Sequence, residues 1–443
     1  MTLLVVCLLC VLCDSVVQAS DQIPSPPQSR PIAIVGGDVF PVDGPPIPGG
    51  TVVFDKGKII DVGRTVKVPE GAETIDAKGK RVYPGLFDPA SDLGLVEINL
   101  VRQSVDSSET GAINPNVRAE KAMNPDSEHI PVARSNGVLL SVVAPEGGVI
   151  SGSSAVVQLD GWTWEDLTLK SPAAIHMTWP TMRVVPRRFG TPEPDAEQTK
   201  RRDEQLEQIR KTFDDARAYK AARESDASKA SAPFDSRWDA MIPLLDGTIP
   251  LVVNANDVLQ IQSAVAFAQR EKVRLIIAGG YDAPMCAELL KKHDVPVIIA
   301  GTHRLPQRRG DAYDAAFTLP RRLSEAGVKF VIGSIDRFNG NYRNLPYNAA
   351  TAAAYGLPPN EALAAITLRV AELYGVADRV GSITIGKDAT LFIADGDILE
   401  VPTHVEAAFI QGRKIDLSDK QKQLYNKYRQ KYEQQKTAQE PKK

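Results

Sequence analysis

Histidine is sparse in this chain. The 443 residues hold five, His129, His176, His293, His303 and His404, and no two stand two or four positions apart. The close spacings that let neighbouring imidazoles share one metal ion are therefore missing. Cysteine is as sparse. Three of the four lie in the first thirteen residues, and Cys286 is the one thiol that follows. A lone thiol forms no intrachain disulfide. Cys286 sits in the apolar helical pattern of residues 283–290 and reads as a buried structural side chain. Neither sign of charge is in excess. A net charge of −3 leaves no electrostatic case for nucleic acid or for an anionic membrane.

A membrane-length apolar run is missing too. Residues 3–12 are apolar, but a bilayer span needs about 20 residues. Val17-Gln18-Ala19 offers the small or branched residues that a signal peptidase reads. Residues 1–19 are expected to be a signal peptide. The mature chain would then start near Ser20, be secreted or periplasmic, and have no membrane span.

What remains is ordinary globular composition, 43% apolar and 24% charged. It is long enough for a barrel of about 250 residues and a smaller domain. Residues 20–30 are rich in Pro, Ser and Gln and read as a linker. Residues 31–82 alternate Val, Ile and Phe with polar residues between glycine turns, the pattern of half-buried antiparallel strands. Residues 379–417 repeat that style. Neither end has enough strands for a stable sheet alone. The spacing predicts one small β-sandwich built from both ends, with the larger domain inserted between them.

Residues 83–378 alternate strands and helices. Apolar, β-branched runs at 137–144, 249–254, 273–278, 295–300 and 328–333 are separated by helical stretches. The rhythm predicts buried parallel strands with covering helices, as a closed barrel or an open doubly wound sheet. An insertion at 187–239 carries a charged helix over about 197–222. Its narrow stripe Leu206, Ile209, Phe213 and Ala216 fits a surface helix on the barrel or a lid over its mouth. Residues 418–443 open on a capping box, Ser418 and Gln421. Leu424, Tyr428 and Tyr432 then recur every four residues, so this helix should dock on its own body or on a partner.

Three blocks carry a family resemblance. Ile75-Asp76-Ala77-Lys78-Gly79-Lys80-Arg81-Val82-Tyr83-Pro84-Gly85 leads into the first barrel strand. Ala362-Leu363-Ala364-Ala365-Ile366-Thr367 and Gly381-Ser382-Ile383-Thr384-Ile385-Gly386-Lys387-Asp388-Ala389 follow far downstream. In this order they resemble the imidazolonepropionase-like group of the amidohydrolase superfamily. The resemblance implies a TIM-like (β/α) barrel inserted into the composite sandwich, and so favours the closed barrel. It also implies metal-dependent hydrolysis of non-peptide C–N bonds at the C-terminal mouth of the barrel.

The resemblance fails at the expected metal ligands. The superfamily's first strand reads P-G-x-x-D-x-H-x-H, and here Pro84 through Asp88 fit while Ala90 and Asp92 stand at the two His positions. The fifth-strand His corresponds to Asn254. The sixth-strand position falls within 278–281, which has no His. The eighth-strand Asp corresponds to Asp336. The metal positions Ala90, Asp92, Asn254 and Asp336 are thus vestigial. No cofactor is expected, and zinc only if the site has been rebuilt from Asp88, Asp92, His303 and Asp336.

The remaining candidates are catalytic Asp336 and His303, and substrate-binding Asn254, His176, Ser151 and Gly152. The last pair lies in the glycine-containing segment 146–154. Backbone amides there could form an anion nest, though no P-loop, since no Gly-Lys-Ser/Thr closes it. Three functions stay open: a retired hydrolase that keeps a small-molecule ligand, a hydrolase with a rebuilt site, and a partner-binding exported protein. The sequence sets neither substrate nor oligomeric state.

Overall fold

The computed structural model describes residues 22–184, 193–225, 233–334 and 340–439. The expected signal peptide and Asp336 lie outside the described residues.

Five strands come first: β1 (Ile32–Val39), β2 (Ile47–Asp55), β3 (Lys58–Gly63), β4 (Glu73–Asp76) and β5 (Arg81–Pro84). Eight follow: β6 (Leu86–Ser91), β7 (Val138–Val143), β8 (Ile150–Gln158), β9 (Thr168–Thr178), β10 (Leu251–Ala255), β11 (Leu275–Gly279), β12 (Val297–Ile299) and β13 (Phe330–Ile332). Three more close the series: β14 (Leu391–Ala394), β15 (Val405–Ile410) and β16 (Arg413–Lys414).

The two chain ends form one sheet, in the order β16-β15-β14-β5-β1-β2-β3, with β4 on β1. The seam is β5 against β14, antiparallel, with Val82 opposite Ile393. β5 has four residues and β16 two, too short to hold a sheet alone. Ile34, Val52, Phe54, Val82, Leu391 and Phe409 share the core beneath them. Phe54 meets Phe409 edge-on at 5.0 Å between centroids, so residues from opposite ends of the sequence pack as one unit. The β2–β3 hairpin turns on Lys56 (φ 47°) and Gly57 (φ 79°). Both central residues have positive φ, which matches the right-handed twist of the flanking strands.

The second sheet runs β13-β12-β11-β10-β9-β8-β7-β6 and is a nearly closed barrel. Its edges meet where the Ser334 backbone N–H donates to Asp88 Oδ1 at 3.3 Å. Alternate residues go to different cores. Leu140, Val142, Val252, Ile276, Ile298 and Val331 join one cluster with Val370 and Tyr374. Leu251, Val253, Leu275, Ile277, Val297 and Ile299 join the outer cluster that includes the covering helices. A period of two with a different core on each side is what a filled barrel requires.

One expectation is corrected here. The middle strands are not all parallel, because β8 runs antiparallel to both β7 and β9. Residues 146–154, read as a loop, contain the start of this strand. Gly147 (φ 81°) and Gly148 (φ 63°) reverse the chain at once, so no covering helix separates β7 from β8. The serines and glycine of Ile150-Ser151-Gly152-Ser153-Ser154 hid a strand that is buried along its whole length.

The insertion helix spans Asp195–Glu224. Ile209, Phe213 and Ala216 of its stripe are fully buried. Phe213 stands edge-on to Phe267 at 5.0 Å, on the helix Val258–Glu271 that covers β10 and β11. The stripe therefore packs on the outer helix layer. The last helix, Lys420–Gln439, behaves differently. Leu424, Tyr425, Tyr428 and Tyr432 are all exposed, so it does not dock on its own body.

Candidate functional site

β6 ends at the rim where the hydrolytic site of such a barrel belongs. Asp88 is 1% exposed. Its Oδ1 accepts the backbone N–H of Ser334 at 3.3 Å and that of Ala90 at 3.4 Å. Its Oδ2 accepts the Ser334 hydroxyl. Burial pushes the carboxyl up to about 7, and the Ser334 and Ala90 donors only partly offset it. Asp88 therefore keeps its proton to a much higher pH than an ordinary aspartate.

Asp92 is tied in the same way. The Tyr342 hydroxyl donates to its Oδ1 at 2.6 Å. Burial raises the Asp92 carboxyl, and the Tyr342 bond opposes the rise. The Tyr342 hydroxyl is itself held protonated, first by burial and then by Asp92 beside it. His129 stands edge-on to the Tyr342 ring at 5.5 Å. Its Nε2–H donates to the Glu97 carbonyl at 3.0 Å, since a carbonyl only accepts. Below the rim, the Tyr374 hydroxyl donates to the Pro89 carbonyl at 2.7 Å.

β9 and β10 supply the facing side. His176 pairs in register with Gly152 on one side and with the lumen residue Val252 on the other. It is 5% exposed, and among the described residues its Nε2 has no hydrogen-bond partner. Burial pushes its pKa down to about 4, so the ring is neutral at physiological pH. Two residues further along each strand, Thr178 and Asn254 face each other and are exposed. A step of two keeps a side chain on the same strand face. His176 thus lies one layer beneath Thr178 and Asn254.

Other sequence candidates go elsewhere. His303 follows β12 but is exposed, with Nε2 bonded to the Thr351 hydroxyl at 2.8 Å. Its backbone N–H donates to Asn348 Oδ1 at 3.2 Å. Both partners lie on the helix Leu345–Ala354. His303 therefore pins a loop to the outer layer. Ser151 and Gly152 do not form an anion nest. The Ser151 hydroxyl donates to the Gly147 carbonyl at 2.7 Å. A Cβ on Gly152 would meet the Val117 carbonyl at 2.7 Å. The amides of Val149, Ile150 and Ser153 are bonded to the carbonyls of Ala112 and Val117, so they are not free to hold an anion. Sequence reasoning missed Ser334 and Tyr342, whose hydroxyls hold the two rim carboxylates.

Known proteins share this architecture. The sequence model of the Amidohydrolase family matches residues 265–418. The chain is 24% identical over 405 residues to an imidazolonepropionase of Symbiobacterium thermophilum, covering 83% of this chain and 87% of that one. It is 23% identical over 390 residues to the amidohydrolase tasK of Hapsidospora irregularis, covering 82% of this chain but only 39% of that longer protein. Among solved structures, an amidohydrolase from Thermotoga maritima superposes with a TM-score of 0.75 at 26% identity, over 87% of this chain and 99% of that one. A nearly closed barrel set into a sandwich built by both chain ends defines the class. Together with these matches it makes the chain similar in fold and sequence to the amidohydrolase superfamily.

Among the described residues, those at the expected ligand positions do not suit the superfamily's metal. Metal ligands must be deprotonated and free to coordinate. Ala90 offers no donor atom, while Asp88 and Asp92 each accept from a protein hydroxyl. Asn254 carries a neutral amide. Among the described residues, no three His, Cys, Asp or Glu side chains come together as a metal-binding group. This set does not match the His-rich donor set of a tightly held zinc ion.

Proposed function

We propose that this chain is an exported amidohydrolase-fold protein whose barrel mouth binds a neutral small molecule, without the metal-dependent hydrolysis of its superfamily. One observation carries this reading. Asp92, at one of the two lost His positions, is held by Tyr342, Asp88 beside the pair is held by Ser334, and the other lost position is Ala90. A carboxyl raised to about 7 and already accepting from a hydroxyl and two backbone amides is a poor metal ligand. What faces it is a neutral His176 with a free Nε2 beneath the amide of Asn254. His176 and Asn254 recognise an uncharged polar ligand by hydrogen bonds, because neither side chain carries a charge to pair with an ion.

The metal content tests this directly. Purified protein should hold far less than one zinc per chain after dialysis. A chelator should leave its thermal midpoint unchanged, because no metal-binding energy is coupled to folding. Stoichiometric zinc, with C–N bond hydrolysis that the chelator abolishes, would show a rebuilt hydrolytic centre instead.

Export rests on the apolar stretch 3–12 and on Val17-Gln18-Ala19. Sequencing the N-terminus of secreted or periplasmic protein should give a start at or near Ser20. A cytoplasmic product with Met1 intact would reject export and leave the reading of the barrel mouth untouched.

A further inference from the structure

The helix Lys420–Gln439 is exposed along its described side chains, residues 420–436. Its base alone is fixed. Asp419 is 2% exposed and accepts the Lys422 backbone N–H at 2.8 Å. The remaining turns run out from that anchor.

Side-chain positions on this helix follow from a rotation of about 100° per residue. Leu424, Tyr425, Tyr428 and Tyr432 fall within one arc of about 100°, with Gln421 and Gln435 between them. Lys420, Lys427 and Lys431 line one border of that arc. Lys422, Arg429 and Lys436 line the other. The face behind them holds Gln423, Asn426, Gln430 and Gln434, while the carboxylate of Glu433 lies at the second border and pairs with Arg429 at 3.7 Å. Six cations thus flank an aromatic stripe, three to a side; Lys422 pairs with Asp419 at 3.9 Å and Arg429 with Glu433, which leaves the row of Lys420, Lys427 and Lys431 without a paired acid among the described residues. The borders already touch the stripe: Arg429 lies over the Tyr425 ring at 5.9 Å and Lys431 over Tyr428 at 5.7 Å. Long cationic stems can lie along apolar surface in this way while their heads reach outward.

The stripe needs an occupant with negative charge on both flanks. A second copy of the helix does not provide one. Stripe against stripe would set cationic rows against cationic rows, with a single Glu433 per chain to offset them. A lipid interface does. Tyrosine rings settle at headgroup level, and cations on either side reach the phosphates. Among the described residues no helix is long and apolar enough to cross a membrane, so this one would lie on the surface. We propose that Lys420–Gln439 docks the protein on an anionic phospholipid surface. The whole-chain charge of −3 conceals this, because the cations are concentrated on one exposed helix. The inference is independent of what the barrel mouth binds.

Vesicle co-sedimentation of the full-length protein tests it. The protein should sediment with vesicles of equal parts phosphatidylglycerol and phosphatidylcholine, and stay in solution with phosphatidylcholine alone. Binding should collapse in 1 M salt, where the screening length is about 3 Å. Two triple variants, Lys420→Gln/Lys427→Gln/Lys431→Gln and Tyr425→Ser/Tyr428→Ser/Tyr432→Ser, should each lower the bound fraction at least about tenfold. Neither should move the thermal midpoint of the body, since the altered side chains are exposed. Equal binding to both vesicle types, or to neither, overturns the proposal. So does a concentration-dependent dimer in sedimentation that the tyrosine variant abolishes, which would assign the stripe to a second copy.

Discussion

Replacing Asp160 by alanine is expected to lower the unfolding free energy by about 3–5 kcal/mol. Asp160 is 3% exposed and sits between two guanidinium groups. Arg134 reaches its Oδ1 at 2.9 Å and Arg413 its Oδ2 at 3.0 Å. Arg134 is as buried as its partner, and its Nη1 also donates to the Leu159 carbonyl at 3.0 Å. Removing the carboxylate would leave two cations facing each other. Arginine cannot relieve this by losing a proton. The cost exceeds the worth of the intact pair, because the uncompensated charge stays buried. The position also joins separate parts of the chain. Arg134 ends a helix that leads into β7, Arg413 opens β16 of the sandwich, and the Ser25 backbone N–H donates to Asp160 Oδ2 at 3.3 Å. By contrast, Asp215→Ala would break only the exposed pair with Lys211 on the insertion helix, at a cost of about 0.5 kcal/mol or less. Urea unfolding of both variants should separate these effects. A loss under about 1 kcal/mol for Asp160→Ala would contradict this account of the junction.

The fold was largely legible because its signals are local. The block from Ile75 to Gly85 delivers the chain from β4 and β5 into β6. Glycine punctuation and β-branched alternation marked strands that needed partners from the far end. β8 escaped because it is written in serine and glycine, and neither has strong strand propensity. The covering helix whose absence defines it leaves no positive mark.

The candidate site was legible only as a loss. Ala90 and Asp92 could be read against a motif. Nothing in the sequence shows that Tyr342 reaches Asp92 across 250 positions, or that Ser334 reaches Asp88 across 246. Hydroxyl partners of that kind have no periodicity and no spacing rule. His176 could be singled out for the apolar step before it, but its lack of a partner is a property of the closed barrel. The stripe of the last helix was visible in its period. That it faces solvent follows from where β16 ends, which no pattern in residues 418–443 encodes.

The pH dependence of stability should expose the two rim groups as opposing terms. Asp88 titrates at about 7 in the folded protein, against 3.8 for an ordinary aspartate. Its folded pKa is raised, so its contribution is present below pH 4 and is lost as pH rises towards 7. His176 titrates at about 4 against 6.5. Its folded pKa is lowered, so stability is full above pH 6.5 and falls as pH drops towards 4, where the unfolded chain takes up a proton and the folded one does not. Between about pH 4 and 6.5 folding adds one proton at Asp88 and removes one at His176. The two linkages cancel, and this pair should contribute almost no slope. Removing either group uncovers the other. Asp88→Asn should lose stability on acidification by about 1.4 kcal/mol per pH unit relative to the parent. Its amide oxygen can still accept the backbone N–H of Ser334, as Asp88 Oδ1 does. His176→Gln should do the reverse and gain stability by a similar amount per unit as pH falls from 6.5 to 4. Across that window the two variants should diverge by several kcal/mol, with groups common to all three proteins dropping out of the comparison. Denaturant midpoints converted to free energies at half-unit steps of pH would measure it. Parallel curves for the three proteins would mean that neither group is buried in the protonation state assigned to it.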